Sequence, residues 1–192
     1  MKSIITVTIL LASQIVASAR VGETLDQLVT RYAKPLMETK DFGQPAYDFE
    51  KADYHIHINL LNGQSACEDY RVIAQKGQPR RIMSQGDIDL FLGANARGKQ
   101  WKTVETINLF GHALHREGTA MDGMTPPPKG SYFVTTFVNA WMLDGEPLMA
   151  IQFRNPTYPD ELDLCIMTKE WNGFYAELFK KAREKALKDS GL

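Results

Sequence analysis

The stretch DYHIHINLLNGQS, residues 53–65, decides how the chain is read. Tyr54, Ile56, Ile58 and Leu60 alternate with His55, His57, Asn59 and Leu61, and a period of two is that of a β-strand with one apolar face. Asn62-Gly63 then supplies residues that tolerate the positive φ of a tight turn, and residues 65–74 return as the partner strand. An antiparallel hairpin is the consequence, with the period-two pattern running from Tyr47 onward.

His55 and His57 share the face opposite the isoleucines. A two-residue turn at Asn62-Gly63 sets His57 opposite Glu68, whereas a three-residue loop through Gln64 sets it opposite Asp69. Two histidines and one carboxylate form the ligand set of several iron and zinc sites, so His55, His57 and Asp69, or Glu68 in its place, are the candidate metal ligands. The competing reading is a surface cross-strand pair worth a few tenths of a kcal/mol. The sequence has no H-E-x-x-H and no cysteine pair at zinc spacing, and His112 and His115 would point to opposite sides of a strand. The surface pair is therefore preferred, and no cofactor is expected.

Working outward, Thr24-Leu25-Asp26-Gln27 is a capping box, and Leu25, Leu28, Val29 and Tyr32 continue it at helical spacing until Pro35 forbids the helix. Ser84 and Asp87 open a second helix over 85–96, with Ile88, Phe91, Leu92 and Ala96 on one stripe. Apolar runs at 104–115, 131–142 and 147–153 read as strands, with Asp144-Gly145 as a hairpin turn. Pro126-Pro127-Pro128 reads as an exposed polyproline loop. Trp171, Phe174, Leu178 and Ala182 share one face of a long C-terminal helix, on which Glu177 precedes Lys181 by four and Glu184 precedes Lys188 by four. The order helix then hairpin occurs twice, with helix starts near Thr24 and Ser84, which is the trace a diverged internal duplication would leave. The fold expected is α+β: an antiparallel sheet, short helices packed on one face, and a C-terminal amphipathic helix.

The first residues set the compartment. Lys2 precedes a largely apolar run from Ile4 to Val16 that ends in Ala17-Ser18-Ala19, the form of a secretory signal peptide with a small-x-small cleavage site. The run is shorter than the roughly 20 apolar residues a membrane-spanning helix needs, and no cysteine follows it to take a lipid. Residues 1–19 are expected to be cut away, leaving 20–192 as a single exported domain, periplasmic or extracellular, without a transmembrane segment. Only Lys2 is lost from the charge count, so 22 basic residues become 21 against 23 acidic, a formal net charge of −2. That balance offers no global attraction to nucleic acid.

Cys67 and Cys165 are the two cysteines, and an even count in an exported chain permits one disulfide. Such a bond would close a loop of 99 residues, worth roughly 4 to 5 kcal/mol in the chain-entropy model. The alternative is two separate thiols. Catalytic signatures are weak: Gly63-Gln64-Ser65-Ala66-Cys67 nearly copies a G-x-S-x-G elbow, but Cys67 stands where the last glycine belongs, and a hairpin surrounds it. A Cys67 nucleophile with a histidine is a further weak reading, and no glycine loop for phosphates is present.

The segment VGETLDQLVTRYAKP, followed by strand, N-G turn and strand, resembles the opening of the SmpA/OmlA-type small envelope proteins, with Gly22, Thr24, Leu28 and Pro35 at the matching positions. The strong match spans about 15 residues and the loose one residues 21–75. Ala33 stands where a glycine is usual, and the lipid-anchoring cysteine is lacking. The resemblance implies helices on an antiparallel sheet and a role in envelope assembly or protein binding without catalysis. An exported, non-enzymatic protein that binds an envelope protein is therefore the leading expectation. A metal-dependent enzyme or metal-binding protein using the His55/His57 strand is the alternative.

Overall fold

The computed structural model describes residues 20–74, 81–116, 137–154 and 162–189. Residues 1–19, expected from sequence to be an export segment, the Pro126-Pro127-Pro128 stretch and the first part of the expected 131–142 strand lie outside them. In chain order the elements are α1 (Leu25–Tyr32), β1 (Met37–Asp41), β2 (Gln44–Lys51), β3 (Tyr54–Leu61), β4 (Gln64–Val72), α2 (Gln85–Asn95), β5 (Trp101–Thr103), β6 (Thr106–Leu109), β7 (His112–His115), β8 (Phe137–Leu143), β9 (Leu148–Arg154), β10 (Leu162–Thr168) and α3 (Lys169–Asp189).

Both early helices start on the capping boxes read from sequence. The Gln27 side chain accepts from the Thr24 N–H at 2.9 Å, and Asp87 accepts from the Ser84 N–H at 2.7 Å. Eight strands pair antiparallel in the order β1-β2-β3-β4-β10-β9-β8-β5, and β6-β7 form a separate hairpin. The fold is thus α+β. Leu28 and Tyr32 of α1 and Ile88, Phe91 and Leu92 of α2 share one core with Phe49, Ile56, Ile58 and Tyr70 of the sheet, where Phe91 stacks on Tyr70 at 4.0 Å. On the opposite face Leu109, Phe110 and Leu114 of the small hairpin and Trp171 and Tyr175 of α3 pack on Phe137, Ile151 and Phe153. Burying both faces explains why strands such as β9 read as continuous apolar runs.

The main differences from the sequence expectation have physical causes. The pattern beginning at Tyr47 is two strands, not one, because the chain turns at Ala52-Asp53, where Ala52 takes φ 51°. The run 104–115 is likewise folded over, at Phe110-Gly111, and β1 turns into β2 at Phe42-Gly43. Phe42 (φ 55°) and Phe110 (φ 53°) carry a strain of about 1 kcal/mol or more each. The following glycines, at φ 85° and 83°, accept the left-handed conformation freely. Both phenylalanines close on Tyr175, each with centroids 4.6 Å away, Phe42 edge-on and Phe110 stacked. Packing of the half-buried Phe42 and the buried Phe110 on Tyr175 outweighs the turn strain, a gain that local propensity cannot display.

β10 escaped the sequence reading and occupies the middle of the sheet. Leu164 and Ile166 face one core and Cys165 and Met167 the other, so polar alternation is lacking. Asp163, fully buried, is matched by Arg71 at 2.8 Å.

Replacing Tyr175 by Ala should destabilise the protein by about 3 to 5 kcal/mol in urea unfolding, whereas Phe42→Gly should cost less than Phe42→Ala, because glycine relieves the positive-φ strain that alanine keeps. A Tyr175→Ala cost under about 1 kcal/mol would show that the ring cluster does not fasten α3.

Candidate functional site

The face of the sheet that carries α3 changes character across its width. Over β8 and β9 it is apolar; over β1 to β4 and on into β10 it carries a ladder of polar side chains, with Asp48, His57, Asp69 and Cys165 in successive register positions across β2, β3, β4 and β10. The register of β3 and β4 combines the two alternatives read from sequence. Leu61 pairs with Gln64 around the two-residue Asn62-Gly63 turn, and a bulge at Ala66 then shifts the ladder so that Asn59 meets Cys67 and His57 meets Asp69. Glu68, left on the other face, is fully buried under α1 and receives a hydrogen bond from the Tyr70 hydroxyl.

His57 is held at both ring nitrogens. Nδ1 lies 2.9 Å from Asp48 Oδ1 and Nε2 lies 2.7 Å from Asp41 Oδ2. Asn59 donates to the same Asp41 oxygen at 2.9 Å. Burial disfavours a charged ring here, but hydrogen bonds to two carboxylates overcome it and raise the pKa to about 9. The His57 hydrogen bond correspondingly holds Asp41 below the usual carboxylate range. His55, 3.2 Å from Asp48, has its pKa lowered by burial, against the pull of that carboxylate. With its pKa raised to about 9, His57 is held as an imidazolium at neutral pH and ties β1, β2 and β3 together through both ring nitrogens.

The sequence-derived residues are therefore gathered on one face but engaged differently from a ligand set. His55 and His57 turn toward Asp48 and Asp41, while Asp69 lines a cavity of ≈ 30 Å³ shared with Asn59, Cys67, Cys165, Trp171 and Tyr175. Among the described residues no three His, Cys, Asp or Glu side chains are placed to hold a metal ion. Cys67 and Cys165, whose proximity sequence could not establish, bring their sulfurs to 3.3 Å as free thiols. Ser65 of the near-elbow accepts from the N–H groups of Gly22 and Glu23 at 2.9 and 3.1 Å and donates to the Arg20 carbonyl at 3.3 Å, so its hydroxyl clips the chain before α1 to the hairpin turn.

Asp41 and Asp48 are the partners the sequence reading missed. Asp48 alternates with Tyr47 and Phe49, a signal for the histidine face once the break at Ala52-Asp53 is known; Asp41 reaches the site only through the Phe42-Gly43 turn.

No family model and no curated protein matches this sequence. Among solved structures, a cysteine-rich secretory protein from Staphylococcus aureus subsp. aureus Mu50 aligns with a TM-score of 0.40 and 12% identity, over 79% of this chain and 45% of that one. The chain spans less than half the length of that protein.

His57 and Glu68 make stability fall with rising pH in two separate windows. His57 has its folded pKa raised to about 9 from 6.5, so its contribution is complete below pH 6.5 and is lost as pH climbs through 9. Burial raises Glu68 from 4.5 to about 7, against the Tyr70 and Ser65 hydrogen bonds, so stability declines between those values as the folded protein is forced to ionise it. Each window is worth on the order of 3 kcal/mol. Urea midpoints measured from pH 4.5 to 9.5 should show His57→Gln abolishing the decline above pH 7 and Glu68→Gln abolishing that below it. Parallel curves for all three proteins would refute both assignments.

Proposed function

We propose that this is an exported, non-enzymatic envelope protein that acts by binding another protein, and that the outer half of α3 is its contact surface. One observation carries the reading. Trp171 and Tyr175 anchor the start of α3 in the aromatic core, yet every residue from 180 to 189 is exposed. A free helix of this length is marginal in water; this one persists as the continuation of an anchored helix, with Glu184 four residues before Lys188. It presents Lys180, Lys181, Arg183, Lys185 and Lys188 against Glu184 and Asp189, a surface complementary to an acidic protein.

The remaining features support the same reading. The apolar run ending at Ala19 accounts for export, and the resemblance of residues 21–75 to SmpA/OmlA-type proteins accords with an envelope role. His57 and Ser65, the residues with most claim to chemistry, are consumed by structural hydrogen bonds. We also infer an ancestral duplication. The sheet reads helix-led four strands from either edge, β1-β2-β3-β4 after α1 and β5-β8-β9-β10 after α2, with β6-β7 inserted in the second unit.

Cross-linking in envelope extract tests the proposal, comparing the full chain with a variant in which the five cations of 180–189 are changed to Glu. Cross-links from the helix lysines to one acidic protein are expected, with affinity reduced about tenfold or more by the charge reversal and thermal stability unchanged. Equal capture by both forms would eliminate the helix as the contact. A secreted form whose N-terminus is not at Arg20 would eliminate the export site.

A further inference from the structure

β4 and β10 are the central pair of the sheet and the seam between its two four-stranded halves. Cys67 opposes Met167 and Cys165 opposes Asp69, so the cysteines are diagonal neighbours on one face, and their side chains converge until the sulfurs are 3.3 Å apart. A disulfide has its sulfurs about 2.05 Å apart, so bond formation needs an approach of about 1.3 Å beside a cavity that both cysteines line. Both cysteines are buried beneath Trp171 and Tyr175.

We propose that Cys67 and Cys165 are a redox pair whose disulfide staples one half of the sheet to the other. This is independent of the surface used for protein binding. The oxidant is a small-molecule or protein disulfide. One cysteine loses its proton, and its thiolate attacks a sulfur of that disulfide, forming a mixed disulfide and expelling one thiolate, which takes up a proton. The second cysteine, likewise deprotonated, attacks the protein-side sulfur of the mixed disulfide and expels the second thiol. Two electrons and two protons leave the protein, and the oxidant becomes two thiols.

The surroundings set when this happens. Contact with Cys67, then burial, pushes the Cys165 thiol well above its ordinary value, so at neutral pH it is protonated and a poor nucleophile in the folded state. The aromatic roof also excludes the oxidant. Bond formation therefore belongs to folding, before α3 docks, and the dithiol form once folded is oxidised slowly. Because the cysteines are 98 positions apart, the bond removes much freedom from the unfolded chain.

The test uses the full chain, unfolded in urea and refolded in a glutathione redox buffer. Intact mass should show loss of two hydrogens, and a non-reducing peptide map should join the Cys67 and Cys165 peptides. Oxidation should lower the unfolding equilibrium constant on the order of 1000-fold and raise Tm by roughly 10 °C. A Cys67→Ala/Cys165→Ala double variant should have the same Tm under both conditions. Refolded protein with two alkylatable thiols, separate glutathione adducts on each cysteine, or an oxidised form no more stable than the reduced one would each overturn the proposal.

Discussion

The pairing of β4 with β10 is the constraint on which the rest of the structure depends. It is the only strand contact joining the first four strands to the last among the described residues, and both strands are covered on both faces. A strand in that position has no solvent side on which to place polar groups, so every polar residue it carries must be satisfied internally. Asp163 is matched by Arg71, one oxygen of Glu68 by the Tyr70 hydroxyl, and the two cysteines by each other; the second Glu68 oxygen is buried without a hydrogen bond, in keeping with a carboxyl whose pKa burial raises to about 7. Apolar contacts through Tyr70, Leu164 and Ile166 tie the helix-bearing core to the same seam.

The second organising element is the ring cluster around Tyr175. Two turns far apart in sequence each place a phenylalanine at positive φ in order to reach one tyrosine of α3. Phe110 and Tyr175 are joined by Phe179, and Tyr175 by Trp171. Local strain of a few kcal/mol is thus exchanged for long-range packing. This fixes the direction in which the helix leaves the body and hence where its exposed basic end is carried.

The polar ladder beside that cluster is built for holding strands in place. An imidazolium bonds to a carboxylate on either side, and three strands meet in the bonds it makes. β1, at the sheet edge, owes its attachment in part to Asp41 and His57 as well as to its backbone ladder. Protonation of one ring is therefore coupled to the integrity of an edge, while ionisation of Glu68 acts on the opposite core. The two faces of one sheet answer to different pH ranges.

Local physics determined much by itself: the two capping boxes, the Asn62-Gly63 turn, the alternation of residues 54–61, and the amphipathic start of α3 were all legible, because each depends on contacts within a few residues. The α+β class followed from them. The site was half legible: His55, His57 and Asp69 do share a face, but Asp41 and Asp48, which decide the state of His57, arrive through the turns at Phe42-Gly43 and Ala52-Asp53, where Phe42 and Ala52 take positive φ without being turn-forming residues. Only the tertiary structure could fix the place of β10, the bulge that sets the His57 register, and the meeting of Cys67 with Cys165. Those depend on pairings between residues up to 98 positions apart, whose favourable energy appears only when distant strands are already side by side.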